Sequence, residues 1–168
     1  MCVCVAVARR CGFSARGPLL ECVGSGSQVL DGAWPYLVAC SAADSAVVGY
    51  AYAKQFRERS AYRYTVEDSI YRAPGYGRRG IGRMLLAELI ARCRGLGAHS
   101  IVAFMSGTAE TNPGSYHLHT SLGARVRACR GVGHAHARHA GFEEMCRFRE
   151  VGFRWGRWVD TTGLQLML

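Results

Sequence analysis

The order of periodic segments predicts a mixed α/β fold, a sheet with helices lying across it. Three observations lead there. Three β-rich runs joined by short polar turns come first; a glycine-dense loop then feeds an amphipathic helix without a break; a further strand, a second helix and two terminal strands follow. A strand joined to the next strand through a helix implies a parallel pair with a right-handed crossover.

Residues 1–33 give little: Arg9–Gly24 has no convincing period, and GSGSQ at 24–28 reads as a flexible break. Tyr36–Cys40 (YLVAC) is a short apolar run, Ala42–Ser45 a polar turn, and Ala46–Phe56 (AVVGYAYAKQF) a second β-rich run, so the two predict an antiparallel hairpin. After RERS, Tyr62–Arg72 (YRYTVEDSIYR) alternates again as a third strand. Tyr62, Tyr64, Val66, Asp68 and Ile70 fall on one set of positions; Arg63, Thr65, Glu67, Ser69 and Tyr71 fall on the other.

Ala73–Arg94 (APGYGRRGIGRMLLAELIARCR) is the stretch on which the rest depends. Pro74, Gly75, Gly77, Gly80 and Gly82 crowd its start, and Ile81, Met84, Leu85, Leu89, Cys93 and Leu96 then recur at three- and four-residue intervals. Glycines let the backbone turn sharply and approach a ligand, and the free N–H groups and positive dipole end of a helix start favour an anion, most often a phosphate. Arg78, Arg79 and Arg83 add positive charge there. The loop is not a P-loop, because no Lys-Ser/Thr follows its last glycine. It is not the dinucleotide fingerprint either, because GRRGIG is one residue short and lacks the downstream acidic residue. A shorter anion cradle remains.

Gly95–His99 ends the helix, Ser100–Met105 (SIVAFM) is the next strand, and a helix is expected near Ser115 with Ser115 as its N-cap. Gly141–Phe148 and Arg157–Leu168 are the last two strands, joined through GFRWG. Residues 124–140, rich in Ala, Gly and His, read as an inserted loop.

A chain of 168 residues with 49% apolar and 20% charged residues suits one domain with a real core. No apolar run reaches the roughly 18 residues of a membrane helix, and the start MCVCVAVARRC is too short in its apolar run for a signal peptide, so a cytoplasmic protein without membrane association is the default expectation, with organelle import left open. The eight cysteines lack a CxxC pair and read as cytosolic thiols. The net charge of +9 is almost wholly arginine, with Lys54 the single lysine; such a surface attracts nucleic acid or a phosphorylated cofactor.

AYRYTVEDSIY, PGYGRRGIGRMLL, HLHTSLG and REVGFRWGRWVDT resemble the phosphinothricin N-acetyltransferase branch of the GNAT acetyltransferases over about Trp34 to Leu168. The resemblance implies a GNAT domain at 34–168 behind an atypical N-terminal segment at 1–33. Its sheet would be mostly antiparallel with a central parallel strand pair, and its N-terminal elements abbreviated, since family members carry a first strand and two helices there. It further implies acetyl-CoA as donor, a small primary amine such as an amino acid or its analogue as acceptor, and a homodimer; no metal and no nucleic acid are expected, because the sequence has neither zinc-ligand spacing nor an aromatic-basic RNA-binding signature. The family loop (Q/R)xxGx(G/A) falls on Gly77, Arg78, Arg79, Gly80, Ile81 and Gly82, with Gly77 in place of the usual Gln or Arg. Asn112 and Ser115 face the cofactor in the family pattern.

Acetyl transfer to an amine needs a base for the ammonium proton, a donor for the oxyanion and a proton for the departing thiol. Glu67 matches the family glutamate before the S-I/V-Y segment and is the expected base; Asp68 points to the opposite face. A main-chain N–H near Ile70 and Tyr71 is the expected oxyanion donor. His119 matches the family LH histidine, although His136 fits the same place if residues 124–134 are looped out, and a metal cluster of His134, His136 and His139 ranks last. Acceptor lining is expected from Arg59, Tyr62 and Tyr64 on the strand before Glu67, and from Phe153, Trp158 and Asp160. A different class stays open: a non-catalytic module that binds coenzyme A, or nucleic acid through its arginines.

Overall fold

A computed structural model describes residues 3–7, 33–122 and 141–168. The chain divides into two compact units, Met1–Ala98 and His99–Leu168. The architecture is mixed α/β, as the order of segments predicts, and every strand ladder within either unit is antiparallel.

In the first unit, strands β1 (Val3–Val7), β2 (Tyr36–Ser41), β3 (Val47–Gln55) and β4 (Thr65–Arg72) pair in sequence order, and helix α1 (Ile81–Gly95) packs on β2, β3 and β4. β1 lies ahead of the aperiodic stretch Arg9–Gly24, where the sequence predicts no strand. Its signal is the alternation of Val3, Val5 and Val7 with smaller residues, short enough to be read as a bare apolar run. The hairpin turn between β2 and β3 closes through Ser41 N–H to the Ala46 carbonyl at 2.9 Å, and Asp44 Oδ1 accepts the Ala46 N–H at 3.2 Å. The chain between β3 and β4 differs from expectation. Ser60–Tyr62 form a 3-10 turn, so the strand starts at Thr65 and Tyr62 and Tyr64 stand outside it. Local partners hold this turn: Arg63 Nη1 donates to the Ser60 carbonyl at 3.0 Å, its guanidinium covers the Tyr64 ring, and Tyr62 meets Phe56 edge-on.

The core of this unit lies between α1 and the sheet. Ile81, Leu85, Leu86, Leu89 and Cys93 are buried from the helix, and Leu37, Ala39, Ala51, Ala53 and Val66 from the strands. The stripe is therefore the four-residue series 81, 85, 89, 93 plus Leu86, and the expected members Met84 and Leu96 are exposed instead. Small residues on β3 let the helix come close. A Cβ on Gly49 would stand 2.9 Å from the Tyr71 carbonyl oxygen and 3.2 Å from Ile81 Cγ2. The opposite face carries Tyr36, Tyr50, Tyr52 and Tyr71, with Tyr50 and Tyr71 rings stacked at 4.8 Å.

In the second unit, β5 (Ser100–Ser106) and β6 (Glu143–Arg154) flank β7 (Arg157–Met167), and helix α2 (Pro113–Ser121) follows β5. Ile101, Ala103 and Met105 share a buried face with their β7 partners Leu166, Leu164 and Thr162. The Thr162 hydroxyl is satisfied by donating to the Gly107 carbonyl at 2.7 Å. β6 runs on to Arg154, so GFR belongs to the strand and only Trp155 and Gly156 form the turn. Both have positive φ, 50° and 74°, as a two-residue primed hairpin turn requires. The register of β6 slips between Phe148 and Gly152, and Asp160 Oδ1 secures the slip by accepting the Glu150 N–H at 3.0 Å.

Candidate functional site

The first unit presents the glycine loop and the strand that leads into it. Gly80 is the N-cap of α1 in the left-handed region, φ 78°, and supplies no side-chain cap; no acidic residue sits in the first turn. The first helical N–H groups are therefore left to solvent or a ligand. Arg78, Arg79 and Gly80 are exposed, Gly77 and Gly82 are half-buried, and Arg83 is exposed beside them. Ile81 reaches inward and is 1% exposed, anchoring the loop while its backbone stays at the helix mouth. The Arg79 guanidinium rests on the Tyr76 ring at 5.0 Å.

Glu67 lies opposite Lys54 in the β3–β4 ladder, its Oε1 3.6 Å from Nζ, with the carboxylate side chain 23% exposed. It is on the face away from α1. Asp68 faces the helix and is buried, and burial, with the Asp68 charge second, pushes the Cys93 thiol up to about 12. Ladder parity sorts the main-chain donors. Ala73 N–H bonds the Val48 carbonyl and Phe56 N–H the Thr65 carbonyl, so the hydrogen-bonded pairs include Tyr50 with Tyr71, and the Tyr71 amide is turned to β3. By the same alternation the Ile70 and Arg72 amides point to the other edge of β4. Of the two expected oxyanion donors, Ile70 has the suitable direction and Tyr71 does not.

Arg59, Tyr62 and Tyr64 do not line the strand beside Glu67; they belong to the exposed turn at 59–64, where Arg59 is the N-cap of the 3-10 turn. The β-rich alternation of Tyr62–Arg72 concealed a turn because Tyr62 and Tyr64 keep its parity while pairing with nothing on β3.

In the second unit, Asn112 rather than Ser115 is the N-cap of α2, with Pro113 at the first helical position and Ser115 in the first turn. Asn112 Nδ2 donates to the Ser106 carbonyl at 3.0 Å. The Ser115 carbonyl lies 2.8 Å from His119 Nδ1; a carbonyl only accepts, so Nδ1 carries the proton in this contact. His119 is 5% exposed and meets the Phe142 ring edge-on at 5.1 Å. A Cβ on Gly141 would stand 2.9 Å from the Thr120 carbonyl oxygen, so the chain after residue 140 returns to the end of α2. His119 and Phe142, far apart in sequence, are thus brought into contact. His134, His136 and His139 lie outside the described residues, among which no cluster of His, Cys, Asp and Glu is arranged to hold a metal ion.

An open cleft of about 520 Å³ in this unit runs between the loop after β5, with Thr111 and Asn112, and the β6–β7 hairpin, with Arg154, Trp158 and Asp160. Trp158 and Asn112 are brought together there. Phe153 is not part of the cleft wall; it meets Trp158 edge-on at 5.1 Å, and both rings are 60% exposed. Asp160, expected to line an acceptor pocket, spends one oxygen on the Glu150 amide.

The uncapped start of α1 follows directly on the strand that carries Glu67. The sequence pattern of the Acetyltransferase (GNAT) family matches residues 24–124. The chain belongs to the GNAT acetyltransferase family. Among its relatives, a phosphinothricin N-acetyltransferase of Alcaligenes faecalis is 40% identical over 139 residues, 83% of this GNAT chain and 59% of the relative. An L-methionine sulfoximine/L-methionine sulfone acetyltransferase of Salmonella typhimurium is 36% identical, over 79% of this chain and 66% of that protein. The crystal structure of a GNAT superfamily phosphinothricin acetyltransferase from Sinorhizobium meliloti in complex with AcCoA superposes with a TM-score of 0.69 at 39% identity, covering 84% of this chain and 65% of the other. The chain thus spans about 59% to 66% of the length of these relatives. Among the described residues no helix is long and apolar enough to cross a membrane.

Proposed function

We propose that this GNAT chain is an N-acetyltransferase moving the acetyl group of acetyl-CoA to the primary amine of a small amino acid or amino-acid analogue, of the phosphinothricin or methionine sulfoximine type. One observation carries the reading: the strand bearing Glu67 leads directly into a solvent-open helix start whose first amides have no capping side chain. The main chain of Gly77–Gly82 holds the diphosphate, with Arg78, Arg79 and Arg83 supplying charge, and Asn112 and Ser115 complete the cofactor contacts. Relatives that act on phosphinothricin and methionine sulfoximine support the acceptor class.

In the reaction, Glu67 takes a proton from the substrate ammonium. The freed lone pair forms the N–C bond at the thioester carbonyl, and the Ile70 N–H donates to the oxygen as it gains charge. The C–S bond then breaks. A free thiol has a pKa of about 8.5, so the departing thiolate leaves more readily if it receives a proton; we assign this to His119 as the imidazolium, which gives up its Nε2 proton while Nδ1–H stays on the Ser115 carbonyl, and the acylated nitrogen releases its second proton to water. Trp158 at the cleft, with Phe153, Arg59, Tyr62 and Tyr64, is proposed to contact the acceptor. The domain spans 34–168, with 124–140 an insertion behind α2. The protein is a cytoplasmic homodimer, its self-association supported by the edge of β6 that no other described strand pairs and by the exposed Met145, Phe148 and Val151 along it.

The test is free-thiol release from acetyl-CoA with a panel of amino acids including phosphinothricin and methionine sulfoximine. Amine-dependent release, with an acetylated product of matching mass, is expected. Acetyl-CoA binding without release on any amine would leave a non-catalytic coenzyme A module; salt-sensitive nucleic-acid binding without acetyl-CoA binding would leave neither.

A further inference from the structure

Gly77 stands where the family loop usually carries Gln or Arg, yet a cation stands over it. The guanidinium of Arg72, the last residue of β4, places Nη1 3.3 Å and Cζ and Nη2 3.5 Å from the point a Cβ on Gly77 would occupy. Arg72 lies on the α1 face of β4 by its parity with Val66 and Asp68, so its side chain runs along the helix mouth. It is exposed, forms no ion pair among the described residues, and faces a helix turn without acidic residues. A positively charged planar group held beside uncapped helix amides suits a phosphate oxygen pair. We propose that Arg72 is a further cofactor-binding residue, supplying from the neighbouring strand the side-chain cation that position 77 lacks, directed at the diphosphate of acetyl-CoA.

Glycine is what permits this arrangement. A side chain at 77 would displace the guanidinium, and the φ of Gly77 is not in the left-handed region, so an arginine there is conformationally acceptable once Arg72 is gone. Loop and strand thus offer two alternative origins for one charge. The inference rests on the acetyl-CoA reading, and its test separates the two.

The dissociation constant of acetyl-CoA is measured by calorimetry for the wild type, Arg72→Ala and the Arg72→Ala/Gly77→Arg double variant. Steady-state kcat/KM is measured with acetyl-CoA, acetyl-3′-dephospho-CoA and S-acetylpantetheine. Arg72→Ala is expected to weaken acetyl-CoA about 10-fold, to lose as much with the dephospho donor, which keeps the diphosphate, and to leave S-acetylpantetheine unchanged. Gly77→Arg in the Arg72→Ala background restores most of the affinity. An unchanged Arg72→Ala overturns the proposal; so does equal loss with S-acetylpantetheine, which would mark a structural role, or a loss confined to acetyl-CoA, which would move the contact to the 3′-phosphate. A wild type that binds no acetyl-CoA defeats the functional reading itself, a result distinct from each of these.

Discussion

Gly49→Ala tests how tightly β3 and β4 hold the start of α1. The added methyl would sit 2.9 Å from the Tyr71 carbonyl oxygen, 3.2 Å from Ile81 Cγ2 and 3.3 Å from Leu85 Cδ1. The first obstacle is backbone, fixed where Ala73 N–H bonds the Val48 carbonyl at 2.9 Å, so relief requires β4 or the helix to move by a few tenths of an ångström. Overpacking of this kind costs about 1–3 kcal/mol. The reduced freedom of the unfolded chain returns about 0.4–1 kcal/mol. The net loss is on the order of 1–2 kcal/mol, a fall in Tm of roughly 2–8 °C at this chain length. Because Tyr71 and Ile81 bracket the glycine loop, KM for acetyl-CoA should rise with the same substitution. Calorimetric melting of the wild type, Gly49→Ala and Gly49→Val gives the series, with valine the most damaging. An unchanged or raised Tm for Gly49→Ala would refute the close approach of helix and strand.

Two further outcomes follow from the same core. Leu89→Ala removes a fully buried side chain from the centre of the α1 stripe and should cost about 2–5 kcal/mol, read as a lower midpoint in urea. Cys93 and Tyr36 are both raised, the first by burial and then the Asp68 charge, the second by burial and then Tyr52. Below pH 9 the Cys93 thiol is neutral in both states and its contribution to stability is whole. Above the ordinary value of 9.0 the unfolded chain releases this proton while the folded chain keeps it to about 12, so stability should fall with rising pH across that window, and Cys93→Ala should flatten the fall. Urea titrations from pH 8 to 11 read the slope.

Much of the fold was legible because periodicity is a local signal. The hairpin of β2 and β3, the glycine loop, α1 and β5 all sit within a few residues of where alternation and four-residue spacing put them. The misses share a cause: their deciding partners are distant in sequence. Val3–Val7 becomes a strand because β2 offers an edge, and the β6–β7 hairpin is longer than expected because Trp155 adopts a positive φ that composition does not announce. At the candidate site, Glu67 and the loop could be read from the resemblance. Choosing Ile70 over Tyr71 required ladder register, and Arg72 required knowing that a side chain five residues before Gly77 folds back over it. The seating of Phe142 on His119 likewise depends on tertiary contact.

The most direct measurement is turnover of Glu67→Gln with acetyl-CoA and methionine sulfoximine or phosphinothricin, alongside its acetyl-CoA affinity. Glutamine keeps the shape and can take no proton. The ion pair to Lys54 is partly exposed, so its loss should cost no more than about 1 kcal/mol and leave the fold intact. The account predicts a fall in kcat/KM of about 10²–10⁴-fold with acetyl-CoA binding unchanged. Wild-type turnover by Glu67→Gln would contradict it.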